Sequence, residues 1–132
     1  MLVLDATVAL AAARAPSGFQ RFHDADLVAP PLLWSEARSV LHEAARRGEL
    51  TVSAARAIRR ALDSAPIADY PHPRLGEEAW DVADRLRMHR TFAAEYVALA
   101  RLLGCPLVTL DADLARAARR LVIVREPREV VG

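Results

Sequence analysis

The stretch Met1-Leu2-Val3-Leu4-Asp5 decides which fold this chain is expected to adopt. Its apolar residues follow one another without alternation, which is typical of a strand buried at the centre of a parallel sheet. Residues 6–11 then begin a predicted helix. In parallel sheets, ligands bind just beyond the carboxyl ends of the strands, where Asp5 would lie. Asp is also a favoured N-cap, so a purely structural alternative is that Asp5 caps the helix that follows it.

The same succession of strands and helices continues along the chain. Further strands are predicted at residues 26–29, 106–110 and 121–124, with an edge strand or extended loop at 66–71. Helices are predicted at residues 7–14, 32–47, 53–63, 74–88, 92–103 and 113–120. Residues 125–132 have no obvious role in a core, and Trp34 and Trp80 are predicted to be packing residues. This alternation predicts an α/β fold with a mainly parallel sheet in a single domain, residues 1–132.

Composition argues against several classes of protein. Hydrophobic residues make up 53% of the chain, which argues against disorder. No apolar run approaches the ~18 residues of a membrane span, and no basic segment precedes the N-terminal apolar stretch as in a signal peptide. The single cysteine, Cys105, fits a reducing cytoplasm. The net charge is only +1, but all 18 basic residues are arginine, whose planar fork binds phosphate, so local patches could hold RNA or DNA.

Glu36 lies at the edge of an apolar helix face. That face consists of Leu33, Ala37, Val40, Leu41 and Ala44. At about 100° per residue, Glu36 falls between Leu32 and Val40, so its carboxylate is predicted to be partly buried, which is costly without a partner. The alternative is a Glu36 whose stem lies along the core while its carboxylate reaches solvent. The residues alone leave both interpretations open.

Two apolar strands end in aspartate, at Asp5 and Asp111. If the strands are neighbours in a parallel sheet, the two side chains lie together at its carboxyl edge, and Glu36 could point to the same place. Three carboxylates that close repel one another unless a cation lies among them. Such hard oxygen ligands suit Mg²⁺ or Mn²⁺. Acids at strand ends and helix caps are common, so this pattern is a weak signal by itself.

Four blocks of the sequence resemble those of the PIN-domain nucleases, and most closely the toxin half of VapBC toxin–antitoxin pairs. The blocks are residues 2–8 (LVLDATV), 33–37 (LWSEA), 95–100 (EYVALA) and 107–111 (LVTLD). They appear in the family's order and cover nearly the whole chain. The resemblance implies a three-layer α/β/α sandwich, a homodimer, Mg²⁺- or Mn²⁺-dependent endonucleolytic cleavage of RNA, and restraint by a cognate VapB-type antitoxin.

The resemblance assigns roles position by position. Asp5, Glu36 and Asp111 match the first, second and fourth acids of the family. Asp113 would add an outer or water-mediated contact to the metal. Thr7 and Thr109 supply hydroxyl groups that could orient water or a carboxylate.

The third acid of the family has no counterpart at its usual position. The family's Asp stands three residues before the Tyr of the Tyr-Val-Ala-Leu-Ala block, and that position here is Ala93. Glu95 is expected on the far face of the helix, about 200° from position 93, and is not expected to substitute. Ala93 is compatible with a natural loss, a weakened enzyme or an engineered change. A non-catalytic PIN-like protein that binds RNA or a partner, and a small α/β regulator whose acids only cap helices, remain alternatives.

Overall fold

The computed structural model describes residues 1–130, and residues 131–132, at the end of the predicted tail, lie outside the described part. Its strands are β1 (Leu2–Leu4), β2 (Leu27–Ala29), β3 (Ile67–Asp69), β4 (Leu107–Val108) and β5 (Val124–Arg125). Its helices are α1 (Ala6–Arg14), α2 (Leu32–Arg46), α3 (Val52–Asp63), α4 (Leu75–Arg85), α5 (Phe92–Leu103), α6 (Ala112–Ala118) and α7 (Pro127–Val130). A 3₁₀ turn covers Gly18–Phe22. None of the helices described is long and apolar enough to cross a membrane.

All five strands are parallel and follow the order β3-β2-β1-β4-β5, so β1 is central. Every residue of β1 is buried, as its unbroken apolar sequence predicts. The helices form two groups: α1, α2 and α3 contact one another, while α4 contacts α5, and α5 lies against β1 and β4. Two helical groups and one central sheet are the architecture expected of an α/β/α sandwich, and the predicted fold class is confirmed.

The strand register brings the residues that follow four strands to one edge of the sheet. Leu4 pairs with Val108, so Asp5 lies level with Thr109. On the other side of β1, Val3 pairs with Val28, which places Leu4 level with Ala29. Ala29 in turn pairs with Asp69 of β3. Asp5 and Tyr70 are therefore also level, each one residue beyond the end of its strand.

Three predictions about packing require correction. The last strand begins three residues later than predicted because the N–H groups of Leu121 and Val122 both bond to the carbonyl of Ala118 and continue the turn that ends α6. The tail contributes to the fold, since Arg125 belongs to β5 and Pro127 is buried. Trp80 is 68% exposed on α4, so it is not a packing residue in this chain.

Candidate active site

Asp5 both caps a helix and lies at the carboxyl edge of the central strand, so its two interpretations are compatible. It directly follows β1, and its Oδ1 accepts the N–H of Val8 (3.2 Å) as the N-cap of α1. The residue is only 3% exposed. A carboxylate buried to this extent needs several hydrogen-bond donors to remain ionised.

Two threonine hydroxyls supply those donors. Thr7 Oγ1 donates to Asp5 Oδ1 at 2.6 Å, and Thr109 Oγ1 donates to Asp5 Oδ2 at 2.5 Å. The same hydroxyl oxygens accept backbone N–H groups, Thr7 from Leu110 and Thr109 from Asp111, each at 3.0 Å. Burial raises the pKa of Asp5, the two hydroxyls and the Val8 N–H oppose that shift, and the charge of Asp111 adds to it. The threonines therefore fix the orientation of Asp5 and lower the cost of its negative charge.

Glu36 reaches the site from α2 and is held by a tyrosine that the sequence interpretation did not include among the site residues. Tyr96 Oη, on α5, donates to Glu36 Oε1 at 3.3 Å. Glu36 is partly buried, and burial raises its pKa, with further contributions from the charges of Asp5 and Glu95. Tyr96 is 1% exposed, and burial together with the nearby Glu36 charge raises the pKa of its hydroxyl. The hydroxyl is therefore a donor to Glu36 at any physiological pH. The sequence indicated Tyr96 only as a member of the 95–100 block, and nothing in it indicated the hydrogen bond to Glu36.

Asp111 and Asp113 occupy different environments. Asp111 is exposed and caps α6, with its Oδ1 accepting the N–H groups of Asp113 (3.0 Å) and Leu114 (3.1 Å). Its charge raises the pKa of Asp5, so the two carboxylates affect each other electrostatically. Asp113 has a side chain that is 92% exposed and pairs with Arg116 at 3.3 Å. In this structure Asp113 is turned to solvent, and its outer or water-mediated contact to a metal stays a prediction.

Glu95, which was expected on the far face of α5, acts on the site. The helix spans Phe92–Leu103, as predicted, so a later start does not explain this. Ala93 and Glu95 are both partly buried; burial raises the pKa of Glu95, and the charge of Glu95 raises the pKa of Glu36 and of Tyr96. Residues around most of the circumference of α5 are buried, because α4 packs on one side of it and the sheet on another. The charge of Glu95 therefore reaches Glu36 although the residue lies about 200° from position 93, and that it does not substitute for the third acid stays a prediction.

Carboxylates of the site raise the pKa of neighbouring ones, but not every pair of carboxylates interacts. Asp111 acts on Asp5, and both Asp5 and Glu95 act on Glu36. Within residues 1–130, no three Asp, Glu, His or Cys side chains lie close enough together to ligate one ion directly. Mg²⁺ characteristically retains several waters and needs only one or two direct carboxylate ligands. The donor set therefore fits a hydrated divalent cation, which Asp5, Glu36 and Asp111 would hold in part through water.

Comparison with known proteins defines the family. Residues 2–120 match the PIN domain. Ribonuclease VapC9 of Mycobacterium tuberculosis is 34% identical over 121 residues, which cover 87% of this chain and 89% of that protein. Ribonuclease VapC1 of the same organism is 45% identical over 94 residues, which cover 67% of this chain and 65% of that protein. The chain belongs to the PIN-domain family, among its VapC-type ribonucleases.

Solved structures agree with the fold. The crystal structure of PAE2754 from Pyrobaculum aerophilum superimposes with a TM-score of 0.76 at 25% identity, covering 98% of this chain and 92% of that one. The structure of FitAB bound to an IR36 DNA fragment gives a TM-score of 0.63 at 14% identity, over 96% of this chain and 95% of that one, and is similar in fold.

Proposed function

We propose that the chain is a metal-dependent endoribonuclease toxin of a type II toxin–antitoxin system, acting in the cytoplasm, with Asp5, Glu36 and Asp111 at its reaction centre. The observation that supports this most strongly is the placement of Asp5. It lies at the carboxyl edge of the central strand, is held by two hydroxyls, and is electrostatically linked to both other acids. The ribonuclease names of the mycobacterial relatives support RNA as the substrate.

Each residue has a distinct task in this proposal. Asp5 is held rigidly; its Oδ1 already accepts the Thr7 hydroxyl and the Val8 N–H, whereas Oδ2 accepts only the Thr109 hydroxyl and retains a lone pair. Glu36 has one oxygen held by Tyr96, which leaves Oε2 to orient a water molecule. A divalent cation bound among these acids would polarise a phosphoryl oxygen and make a bound water more acidic. Asp111, being exposed at the start of α6, is the acid most accessible to an approaching phosphodiester.

We further propose that Ala93 weakens this site. The family's third acid would stand at Ala93, and Glu95 is within electrostatic reach of Glu36 but belongs to a different position on the helix. With one carboxylate fewer at position 93, a divalent cation would be held more weakly by the remaining acids. The alanine at position 93 also favours the second candidate function, a PIN-like protein that binds RNA or a partner without cleaving it.

Calorimetric titration with Mn²⁺ tests the metal site independently of cleavage. The parent protein is expected to bind the ion, and Asp5→Asn to bind it at least about tenfold more weakly, about 1.4 kcal/mol. Asp24→Asn is the matched control, because this exposed aspartate precedes β2 at the opposite edge of the sheet and should leave affinity unchanged. Equal Mn²⁺ affinity in the parent and Asp5→Asn proteins would show that Asp5 is not a metal ligand.

An antitoxin segment is proposed to bind the groove between α2 and α3. This groove has a volume of about 850 Å³, an apolar floor that includes Leu41 and Ala55, and four arginines along it: Arg38, Arg46, Arg56 and Arg59. Arg38 and Arg59 pair with Asp63, whereas Arg46 and Arg56 form no ion pair among residues 1–130. An amphipathic helix with an acidic edge complements such a groove.

Ser35 lines this groove and directly precedes Glu36 in the sequence. An antitoxin segment that continues past Ser35 can therefore place a basic residue against the acids. The test is binding of the protein encoded next to this gene. Arg46→Glu with Arg56→Glu should abolish binding, while Arg85→Glu on α4 is the control. Unchanged binding by the double variant would place the antitoxin elsewhere.

The homodimer implied by the family is also a proposal. Trp80 on α4 and Phe92 at the start of α5 are 68% and 57% exposed, on two helices that contact each other. Large apolar side chains left exposed in this way mark an association surface. Sedimentation analysis should show a dimer for the parent protein and a monomer for Trp80→Asp. A dimer in both proteins would place the interface on another face.

A further inference from the structure

Two aromatic rings stand at the edge of the sheet that carries the acids. Tyr70 and His72 follow β3, and their rings are stacked with centroids 6.2 Å apart and planes inclined by 18°. The backbone fixes both residues: Tyr70 N–H bonds to the carbonyl of Ala29 at 2.9 Å, and His72 N–H bonds to the carbonyl of Tyr70 at 2.9 Å. His72 Nδ1 accepts the N–H of Arg74 at 3.0 Å, which sets the tautomer with the proton on Nε2.

A third aromatic side chain is fixed at the end of the same strand. The indole Nε1–H of Trp34, in the first turn of α2, donates to Asp69 Oδ1, and Asp69 is the last residue of β3. The bond fixes the indole relative to the end of β3. Trp34, Tyr70 and His72 are all partly buried, so each ring is supported by the protein while part of its surface remains open. We call these three residues the aromatic edge.

The register places the aromatic edge close to the reaction centre. Tyr70 and Asp5 lie at the same level along their strands, and only β2 separates β3 from β1. Two strand spacings amount to about 10 Å. A chain molecule bound at Asp5 and extending across the end of β2 therefore meets Tyr70 within one or two of its units.

We propose that the aromatic edge binds an unpaired nucleobase of the RNA, next to the phosphodiester held at the acids. This inference rests on the proposed ribonuclease function and adds a base-stacking subsite beside its reaction centre. Flat rings held by the protein bind bases by stacking, and this recognises any base because every base has a π-face. Base pairing would hide that face, so a duplex could not use the aromatic edge. Arg74, two residues after His72, has a side chain that is 65% exposed and is suitably placed to meet the backbone phosphate.

The test is binding of a fluorescently labelled single-stranded 12-nucleotide RNA, with Ca²⁺ in place of Mg²⁺ to suppress cleavage. Tyr70→Ala and His72→Ala should each raise Kd by about tenfold, about 1.4 kcal/mol. Tyr70→Phe keeps the ring and should restore parental affinity. His23→Ala removes an exposed imidazole that precedes β2, at the opposite edge of the sheet, and is the matched control, with unchanged Kd expected.

Two further measurements separate stacking from a general loss of structure. In a Trp80→Phe background, Trp34 is the only tryptophan, and its fluorescence should be quenched by the single strand but not by a duplex of the same sequence. The thermal unfolding midpoint of each variant shows whether it remains folded. If the parent protein binds the strand and Tyr70→Ala binds it equally well, the aromatic edge is not a base-binding site, although the proposed function stands. If the parent protein binds no RNA of any sequence, both proposals fail.

Discussion

Thr109 Oγ1 donates a 2.5 Å hydrogen bond to Asp5 Oδ2, and this bond joins the ends of β4 and β1 across 104 positions of the chain. Both residues are almost fully buried, at 2% and 3% exposure. The hydroxyl oxygen of Thr109 also accepts the N–H of Asp111. One threonine therefore positions two of the three acids proposed for the reaction centre, although it bears no charge itself.

Replacing Thr109 by the isosteric valine should be costly. Thr109→Val leaves Asp5 Oδ2 buried without its donor, and such an unsatisfied group costs about 1–3 kcal/mol of unfolding free energy. Thr109→Ser keeps the hydroxyl and should lose less. Chemical denaturation of the three proteins measures the difference. A Thr109→Val protein as stable as the parent would mean that the bond contributes nothing to the fold.

The buried Asp5 should give the protein a distinctive dependence on pH. Its pKa in the folded state is raised above the ordinary value of 3.8 by burial, so the native state holds this proton at a pH where the unfolded chain has released it. Above the pKa that Asp5 has in the folded state, its buried charge destabilises the protein. This destabilisation is lost as the pH falls through that pKa towards 3.8. Stability of the parent relative to Asp5→Asn should therefore rise on acidification, in metal-free buffer. A relative stability that decreases as the pH is lowered would show that Asp5 is stabilised as a carboxylate.

Arg87 offers a prediction about stability that is independent of the site. It is the one non-glycine residue with positive φ (56°) among residues 1–130. The backbone there closes α4, with Met88 N–H bonded to the carbonyl of Ala83 at 2.8 Å, an arrangement that favours glycine. Arg87→Gly should stabilise the protein by about 0.5–1 kcal/mol. The control is Gly104→Ala, which closes α5 at φ 63° and should destabilise it; thermal unfolding of both variants decides the point.

Sequence reasoning recovered those features of the site that depend on local pattern. Asp5 follows an unbroken apolar strand, and Glu36 lies on the edge of an apolar helix face, so periodicity alone placed both at a boundary of the core. The helix at Phe92–Leu103 was predicted with its observed bounds because Gly104 ends it in the left-handed conformation. In these cases the local sequence was sufficient to predict where a residue lies relative to the core or where a helix ends.

Features that depend on how elements approach each other were not recoverable. The Tyr96–Glu36 bond and the influence of Glu95 arise from the packing of α5 near α2, which no helical period encodes. The exposure of Trp80 depends on which surface of α4 has a neighbour. Leu121 and Val122 are as apolar as the strand that follows them, so hydropathy could not separate the end of α6 from β5.

The most direct test of the central claim, a metal-dependent ribonuclease centred on Asp5, is cleavage of a mixed RNA pool in Mn²⁺ and in EDTA by the parent, Ala93→Asp and Asp5→Asn proteins. The parent is expected to cleave slowly in Mn²⁺ and not at all in EDTA. Ala93→Asp should be faster by at least about tenfold, or about 1.4 kcal/mol of barrier, and Asp5→Asn should be inactive. A parent that cleaves as fast as Ala93→Asp would refute the assignment of position 93. Cleavage that persists in EDTA, or that Asp5→Asn performs at the parental rate, would contradict the central claim.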